Sequence, residues 1–183
     1  MPITSEIFKT YKKDIKIFIE TGSYAGDGIQ AAVDAGFDSI YSIEFYGSRV
    51  SRCRERFKDV VHVKVIQGNS GEVLSELLSK IDEPVLFWLD AHYDAYIPEI
   101  DNPKILTEPQ PVLQELEAIK NHHIKTHTIL VDDRRIFIGD SKVWHNTVEA
   151  DIIYKMKEIN SAYDINFIDS ACFPKDIILA KVG

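Results

Sequence analysis

This sequence is poor in cysteine and short of basic charge relative to acidic. Cys53 and Cys172 are its two thiols in 183 residues. A zinc site cannot be built from them alone, and secreted disulfide frameworks use more. Both are expected to be reduced and buried. Basic residues number 21 against 29 acidic, a net charge of −8. That balance disfavours nonspecific binding to nucleic acid or to an anionic membrane surface. No apolar run approaches the roughly 18 residues a membrane helix needs, and residues 1–14 contain no apolar signal core. The expectation is a cytoplasmic protein with neither membrane nor nucleic-acid partner, with self-association as a homo-oligomer left open. Internal repeats and low-complexity segments are missing too.

What is present reads as one globular domain over 1–183, with 45% apolar and 27% charged residues, values typical of a chain that buries a core. Short β-branched or aromatic runs at Ile15–Glu20, Ser39–Glu44, Val61–Gln67, Val85–Asp90 and Thr128–Asp132 predict strands. They are near-continuously apolar, as strands of a parallel sheet covered on both faces are. Helices are predicted between and after them at Asp27–Ala35, Tyr46–Phe57, Gly71–Lys80, Val112–Asn121 and around Thr147–Asn160. Strand–helix alternation at this spacing implies right-handed crossovers and a doubly wound α/β sheet. The runs Tyr163–Ile168 and Ile177–Val182 are joined by too few residues for a crossover helix, so they are expected to close the chain as an antiparallel hairpin. Seven strands, mostly parallel, result.

His92–Gln110 contains Pro98, Pro103 and Pro109 and has no regular period. It starts at the fourth strand tip, where open α/β sheets bind ligands, and is read as a substrate lid, with an unordered insertion as the alternative. His122 and His123 fall on the polar end of a helix and read as solvated.

Three strand tips carry polar signals. Between the first strand and first helix, Glu20-Thr21-Gly22-Ser23-Tyr24-Ala25-Gly26-Asp27-Gly28 has G-x-x-x-G-x-G spacing rather than the G-x-G-x-x-G of dinucleotide binders. An ordinary tight turn would read the same way. Glu44 ends the second strand, where a carboxylate can accept both hydroxyls of a ribose; a solvated strand-end acid is the plainer reading. Gly68-Asn69-Ser70 follows the third strand, placed either to meet a base edge or to cap the next helix.

Together with Leu89-Asp90-Ala91-His92, these segments resemble the ordered motifs of class I S-adenosylmethionine-dependent methyltransferases from about residue 15 onward, which implies a Rossmann-like fold. The resemblance implies S-adenosylmethionine as cofactor, bound by Glu20, Gly22, Ser23, Tyr24, Gly26, Glu44, Asn69, Ser70 and Asp90. Glu20 and Gly22 would face its methionine part, Glu44 the ribose, and Asn69-Ser70 the adenine. Many relatives carry Asp where Asn69 stands.

Asp90 ends the fourth predicted strand and Asp132-Asp133 the fifth, which would be its neighbour. Three carboxylates meeting there repel one another unless a cation or protonation relieves them, and hard oxygen ligands suit Mg²⁺, Ca²⁺ or Mn²⁺. A turn neutralised by Arg134-Arg135 is the alternative. The arrangement resembles the metal site of catechol O-methyltransferase and of antibiotic-pathway sugar O-methyltransferases. By that likeness Asp90, Asp132 and Asp133 hold the metal, and Asp90 and His92 are catalytic, His92 as general base with a ligand or hinge role as the alternative. The implied activity is metal-assisted O-methylation of a small hydroxylated, sugar-like acceptor. An NAD-dependent oxidoreductase and a catalytically silent binding module of the same fold are the rivals.

Overall fold

The computed structural model describes residues 4–92, 110–138 and 147–183. The strands are β1 (Ile17–Thr21), β2 (Ser39–Glu44), β3 (Val63–Gln67), β4 (Val85–Leu89), β5 (Thr128–Val131), β6 (Asp164–Ile168) and β7 (Ile177–Lys181). The helices are α1 (Ser5–Lys12), α2 (Asp27–Ala35), α3 (Gly47–Arg56), α4 (Ser70–Leu78), α5 (Val112–Asn121), α6 (Arg134–Ile138) and α7 (Glu149–Ile159). The strands form one sheet of seven in the order β3-β2-β1-β4-β5-β7-β6. Pairing is parallel from β3 through β5, and β7 runs antiparallel to both β5 and β6. This is the Rossmann-like α/β sheet with a terminal antiparallel hairpin that the alternation and the short final connector predict. The proposed lid lies, apart from its end residues His92 and Gln110, outside the described residues.

The unbroken apolar runs arise because alternate side chains serve opposite faces and both faces are covered. Phe18, Leu86, Trp88 and Leu130 pack on one side with Ile29 and Ala32 of α2 and Val50 and Cys53 of α3. Ile19, Phe87, Leu89 and Ile129 pack on the other with Leu74 of α4, Leu116 of α5 and Met156 of α7. Helix α1 did not stand out in the sequence. It is held by Phe8, which is fully buried with its ring 4.7 Å from that of Phe18 and 5.6 Å from that of Trp88. Cys53 is buried on α3 as expected, whereas Cys172 lies exposed in the β6–β7 connector, which turns outward from the sheet. Among the described residues, no helix is long and apolar enough to cross a membrane.

Strand order reverses between β1 and β4: the chain builds outward from β1 to β3, then returns to β1's other edge with β4. Crossovers therefore leave the C-terminal ends of β1 and β4 on opposite sides, and a crevice opens between them. Every polar tip singled out in the sequence projects toward that end of the sheet.

Candidate functional site

The crevice is a cavity of about 420 Å³, bordered by Glu44 and Ser70 on one flank and by Asp90 and Asp133 on the other. Its shape begins with glycine. Gly22 has φ +84°, and a Cβ there would sit 2.8 Å from the Asp90 carbonyl oxygen. Only a residue without a side chain lets the β1 tip pass this close to the β4 tip. Gly22 N–H donates to Ile43 O at 2.8 Å, tying the turn to β2. Gly26, at φ +87°, then starts α2.

Glu44 is buried and braces this turn from the side. One carboxylate oxygen accepts the Tyr24 N–H at 3.0 Å and the other the Tyr46 N–H at 2.9 Å. Each oxygen retains lone-pair capacity toward the cavity, which is what a vicinal diol needs. Arg49 reaches over from α3, its guanidinium 4.9 Å from the Tyr24 ring and 4.8 Å from the Tyr46 ring. Phe45 is half-exposed on the same wall. These two residues were not picked out in the sequence, although a large apolar side chain directly after a strand-end acid is a usable signal.

Glu20 lies behind the cavity wall and does not line the cavity. It is 1% exposed and lies beneath the first turn of α2, where a Cβ on Gly28 would overlap its Oε2. Ser42 Oγ–H donates to Glu20 Oε1 at 2.6 Å, and Ser23 Oγ is hydrogen-bonded to Ser42 Oγ. Burial pushes the Glu20 carboxyl up to about 8; the Ser42 hydrogen bond opposes this and the Glu44 charge adds to it. Of the predicted cofactor residues, Gly22, Tyr24, Glu44, Asn69, Ser70 and Asp90 line the cavity. Glu20, Ser23 and Gly26 shape the turn from behind it.

At the β3 tip the capping reading holds for Asn69. Asn69 caps α4, its Oδ1 accepting the Gly71 N–H at 3.1 Å, and also lines the cavity beside Ser70.

On the opposite flank β4 and β5 end one residue earlier than predicted, at Leu89 and Val131, and release Asp90 and Asp132 from the ladder. Backbone bonds still hold both in place: Asp90 N–H to Thr21 O at 3.2 Å and Asp132 N–H to Leu89 O at 3.1 Å. Asp90, His92 and Asp133 offer ligand atoms within 4.8 Å of one another, as do Asp132, Asp133 and Asp176. Burial, followed by repulsion from Asp132 and Asp133, raises the Asp90 carboxyl well above the ordinary carboxylate range. Asp132 is pushed up to about 7 by burial and then by Asp133, with Arg135 opposing. Among the described residues, Asp132 Oδ1 is buried with no hydrogen-bond partner.

Asp176 opens β7 and was missed, because nothing in its local sequence separates it from any loop acid. It is 2% exposed and accepts the Arg135 N–H on Oδ1 at 3.1 Å. Arg135 also pairs with Asp133 at 2.7 Å and with Asp176. The neutralised turn is thus real for Asp133 with Arg135, which also reaches Asp176, whereas Arg134 pairs with Glu149, and Asp90 and Asp132 are relieved instead by a raised affinity for protons. The oxygens of either group suit a hard divalent cation, but the predicted trio of Asp90, Asp132 and Asp133 is divided between the two groups, with Asp133 shared. His92 Nδ1 lies 3.2 Å from the Asp90 carbonyl oxygen and 3.9 Å from its Oδ1.

No protein-family model matches the chain, and no curated protein matches it by sequence. Solved structures do. A Podospora anserina methyltransferase bound to S-adenosylhomocysteine aligns over 98% of this chain and 77% of its own, at TM-score 0.63 and 16% identity. An O-methyltransferase from Bacillus cereus, also in complex with S-adenosylhomocysteine, aligns over 98% and 80%, at TM-score 0.62 and 12% identity. The fold of this chain is therefore that of the class I S-adenosylmethionine-dependent methyltransferases, the group its motifs resemble. At these identities the likeness is one of fold.

Proposed function

We propose that the protein is an S-adenosylmethionine-dependent methyltransferase acting on a hydroxyl oxygen of a small, neutral, sugar-like acceptor. The observation that carries this reading is the meeting of two chemistries in one cavity. A buried, backbone-braced Glu44 and the Asn69-Ser70 tip suit a nucleoside, and an acid cluster faces them across the switch point. Glu44 would receive the ribose hydroxyls, and Gly22 would leave room for the methionine part against Asp90.

Methyl transfer from a sulfonium needs mainly alignment, and the crevice walls supply it by fixing cofactor and acceptor against each other. A sugar hydroxyl reacts poorly until its proton leaves. Asp90, Asp132 and Asp133 would hold a divalent cation, which when bound lowers the pKa of an adjoining hydroxyl. His92, beside Asp90, would take the released proton. The acidic surface supports a small-molecule acceptor over a nucleic acid, and the proposed setting is the cytoplasm.

Titration calorimetry tests the reading. S-adenosylhomocysteine should bind the wild type, and Glu44→Ala should weaken it by roughly tenfold or more, the loss of hydrogen bonds to a charged group. Binding of NAD instead would make the chain an oxidoreductase. Tight S-adenosylhomocysteine binding without transfer to any polyhydroxylated acceptor would make it a binding module.

A further inference from the structure

Ser70 lines the cavity, but its hydroxyl points its hydrogen away from it. Ser70 Oγ–H donates to Glu115 Oε1 at 2.5 Å. Glu115 sits on α5, fully buried, behind the cavity wall. A hydroxyl has one hydrogen and two lone pairs, so a Ser70 that donates to Glu115 can only accept from a ligand. Its neighbour has the opposite restriction. Asn69 Oδ1 accepts the Gly71 N–H, which orients the amide and leaves its NH₂ as the donor it can offer a ligand. The β3 tip therefore offers one acceptor and one donor side by side.

We propose that Glu115, by holding the Ser70 hydroxyl proton, makes this tip select a purine that carries an amino group over one that carries an oxo group at the same position. The inference rests on the cofactor reading above. Adenine presents a donating amino group next to an accepting ring nitrogen, the complement of Ser70 and Asn69. Hypoxanthine presents an accepting oxygen next to a donating N–H, and both pairs clash. Glu115 is thus a positioning residue that acts through Ser70 and touches no ligand. Among the described residues its Oε2 has no hydrogen-bond partner, and the Thr21 hydroxyl on β1, like that of Ser70, favours the ionised carboxylate.

The test compares S-adenosylhomocysteine with its 6-oxo analogue, S-inosylhomocysteine, by calorimetry at about pH 8.5, above the Glu115 value of about 7. The wild type should bind the adenine compound roughly ten- to a hundredfold more tightly, the range for leaving buried polar groups mismatched. In Glu115→Leu no acceptor remains for the Ser70 hydrogen, which is freed to turn toward the ligand, and the preference should fall to within about threefold. Ser70→Ala should flatten it likewise. A merely structural Glu115 would change both affinities together and leave their ratio alone. Should Glu115→Leu not fold, Glu115→Asp, one methylene shorter, breaks the same contact and must compress the ratio equally. An unchanged ratio in a folded Glu115 variant overturns the proposal. If the wild type binds both compounds equally, this inference fails and the cofactor reading stands; if it binds neither, the cofactor reading falls and takes the inference with it.

Discussion

His122 Nδ1 lies 3.0 Å from His127 Nε2, and both rings are buried. The hydrogen positions follow from the ends of the chain they form. The Val85 N–H donates to His127 Nδ1 at 3.0 Å, so the neutral His127 ring carries its proton on Nε2 and gives it to His122 Nδ1. His122 then carries its own on Nε2 and donates to Ile81 O at 2.8 Å. Both ring nitrogens of each imidazole are thus engaged in the neutral form. His122, read in the sequence as a solvated helix end, is instead turned inward where α5 stops.

Acid should therefore unfold this protein through His127. Burial first, and then the charge of His122, push its pKa down to about 3 from 6.5. The unfolded chain thus takes up the proton before the folded one does. Stability from this group is complete above about pH 6.5 and is lost as pH falls toward 3, at up to about 1.4 kcal/mol per pH unit. Glu20 and Glu115 pull the other way over part of that range. The diagnostic is the difference in urea midpoint between wild type and His127→Gln from about pH 7 to 5. It should narrow as pH falls; parallel curves would show that His127 does not carry the acid response.

Glu20 gives the opposite sign. Its folded value of about 8 exceeds the ordinary 4.5, chiefly through burial. Its contribution is complete below 4.5 and is lost as pH rises through 8. Glu20→Gln keeps the shape and the Ser42 contact but cannot ionise. The variant should gain on the wild type by about 1 kcal/mol or more between pH 7 and 9, read from denaturation midpoints. A constant offset would mean that the carboxyl finds water on ionising.

Gly22→Ala forces a Cβ into a backbone oxygen at φ +84°. The β1 and β4 tips must then separate, which should cost on the order of 1–3 kcal/mol in stability. Affinity for S-adenosylhomocysteine should fall more steeply than stability, because the crevice is built from those two tips. Wild-type affinity in a folded Gly22→Ala protein would show that the turn does not set the cavity.

The alternation was legible in the sequence because its elements announce themselves: strand β2 (Ser39–Glu44) and helices α2 (Asp27–Ala35) and α5 (Val112–Asn121) are observed within the bounds their patterns give. Strand ends were less so, since Asp90 and Asp132 continue an extended run that only the absence of a ladder partner terminates. Asp176 is brought to the cluster by the hairpin's return, a contact between distant segments that no local pattern encodes. Glu115 left a trace that was passed over. It stands three residues after Val112 and one before Leu116, both buried on the inner face of α5, and an acid on such a stripe is a signal in its own right.

The acid cluster yields the last prediction. Arg135 already supplies one positive charge to Asp133 and Asp176, yet Asp90 and Asp132 remain raised and Asp132 Oδ1 stays without a partner among the described residues. A divalent cation should satisfy these oxygens, so Mg²⁺ or Mn²⁺ titrated into wild type should bind and excess EDTA should abolish methyl transfer. Asp132→Ala and Asp133→Ala should each lose metal and transfer while keeping S-adenosylhomocysteine affinity, because neither lies on the nucleoside flank. Asp90→Ala should damage both, since Asp90 lines the cavity and also belongs to the acid cluster. Arg135→Met removes the competing guanidinium, and metal affinity should then rise, by roughly tenfold if one charge–charge interaction of about 1.4 kcal/mol is relieved. His92→Ala separates the remaining roles: transfer lost with metal retained makes His92 the proton acceptor, and loss of metal makes it a ligand. Full activity in EDTA, with no change in any aspartate variant, would leave the cluster a neutralised turn and remove the cation from the mechanism.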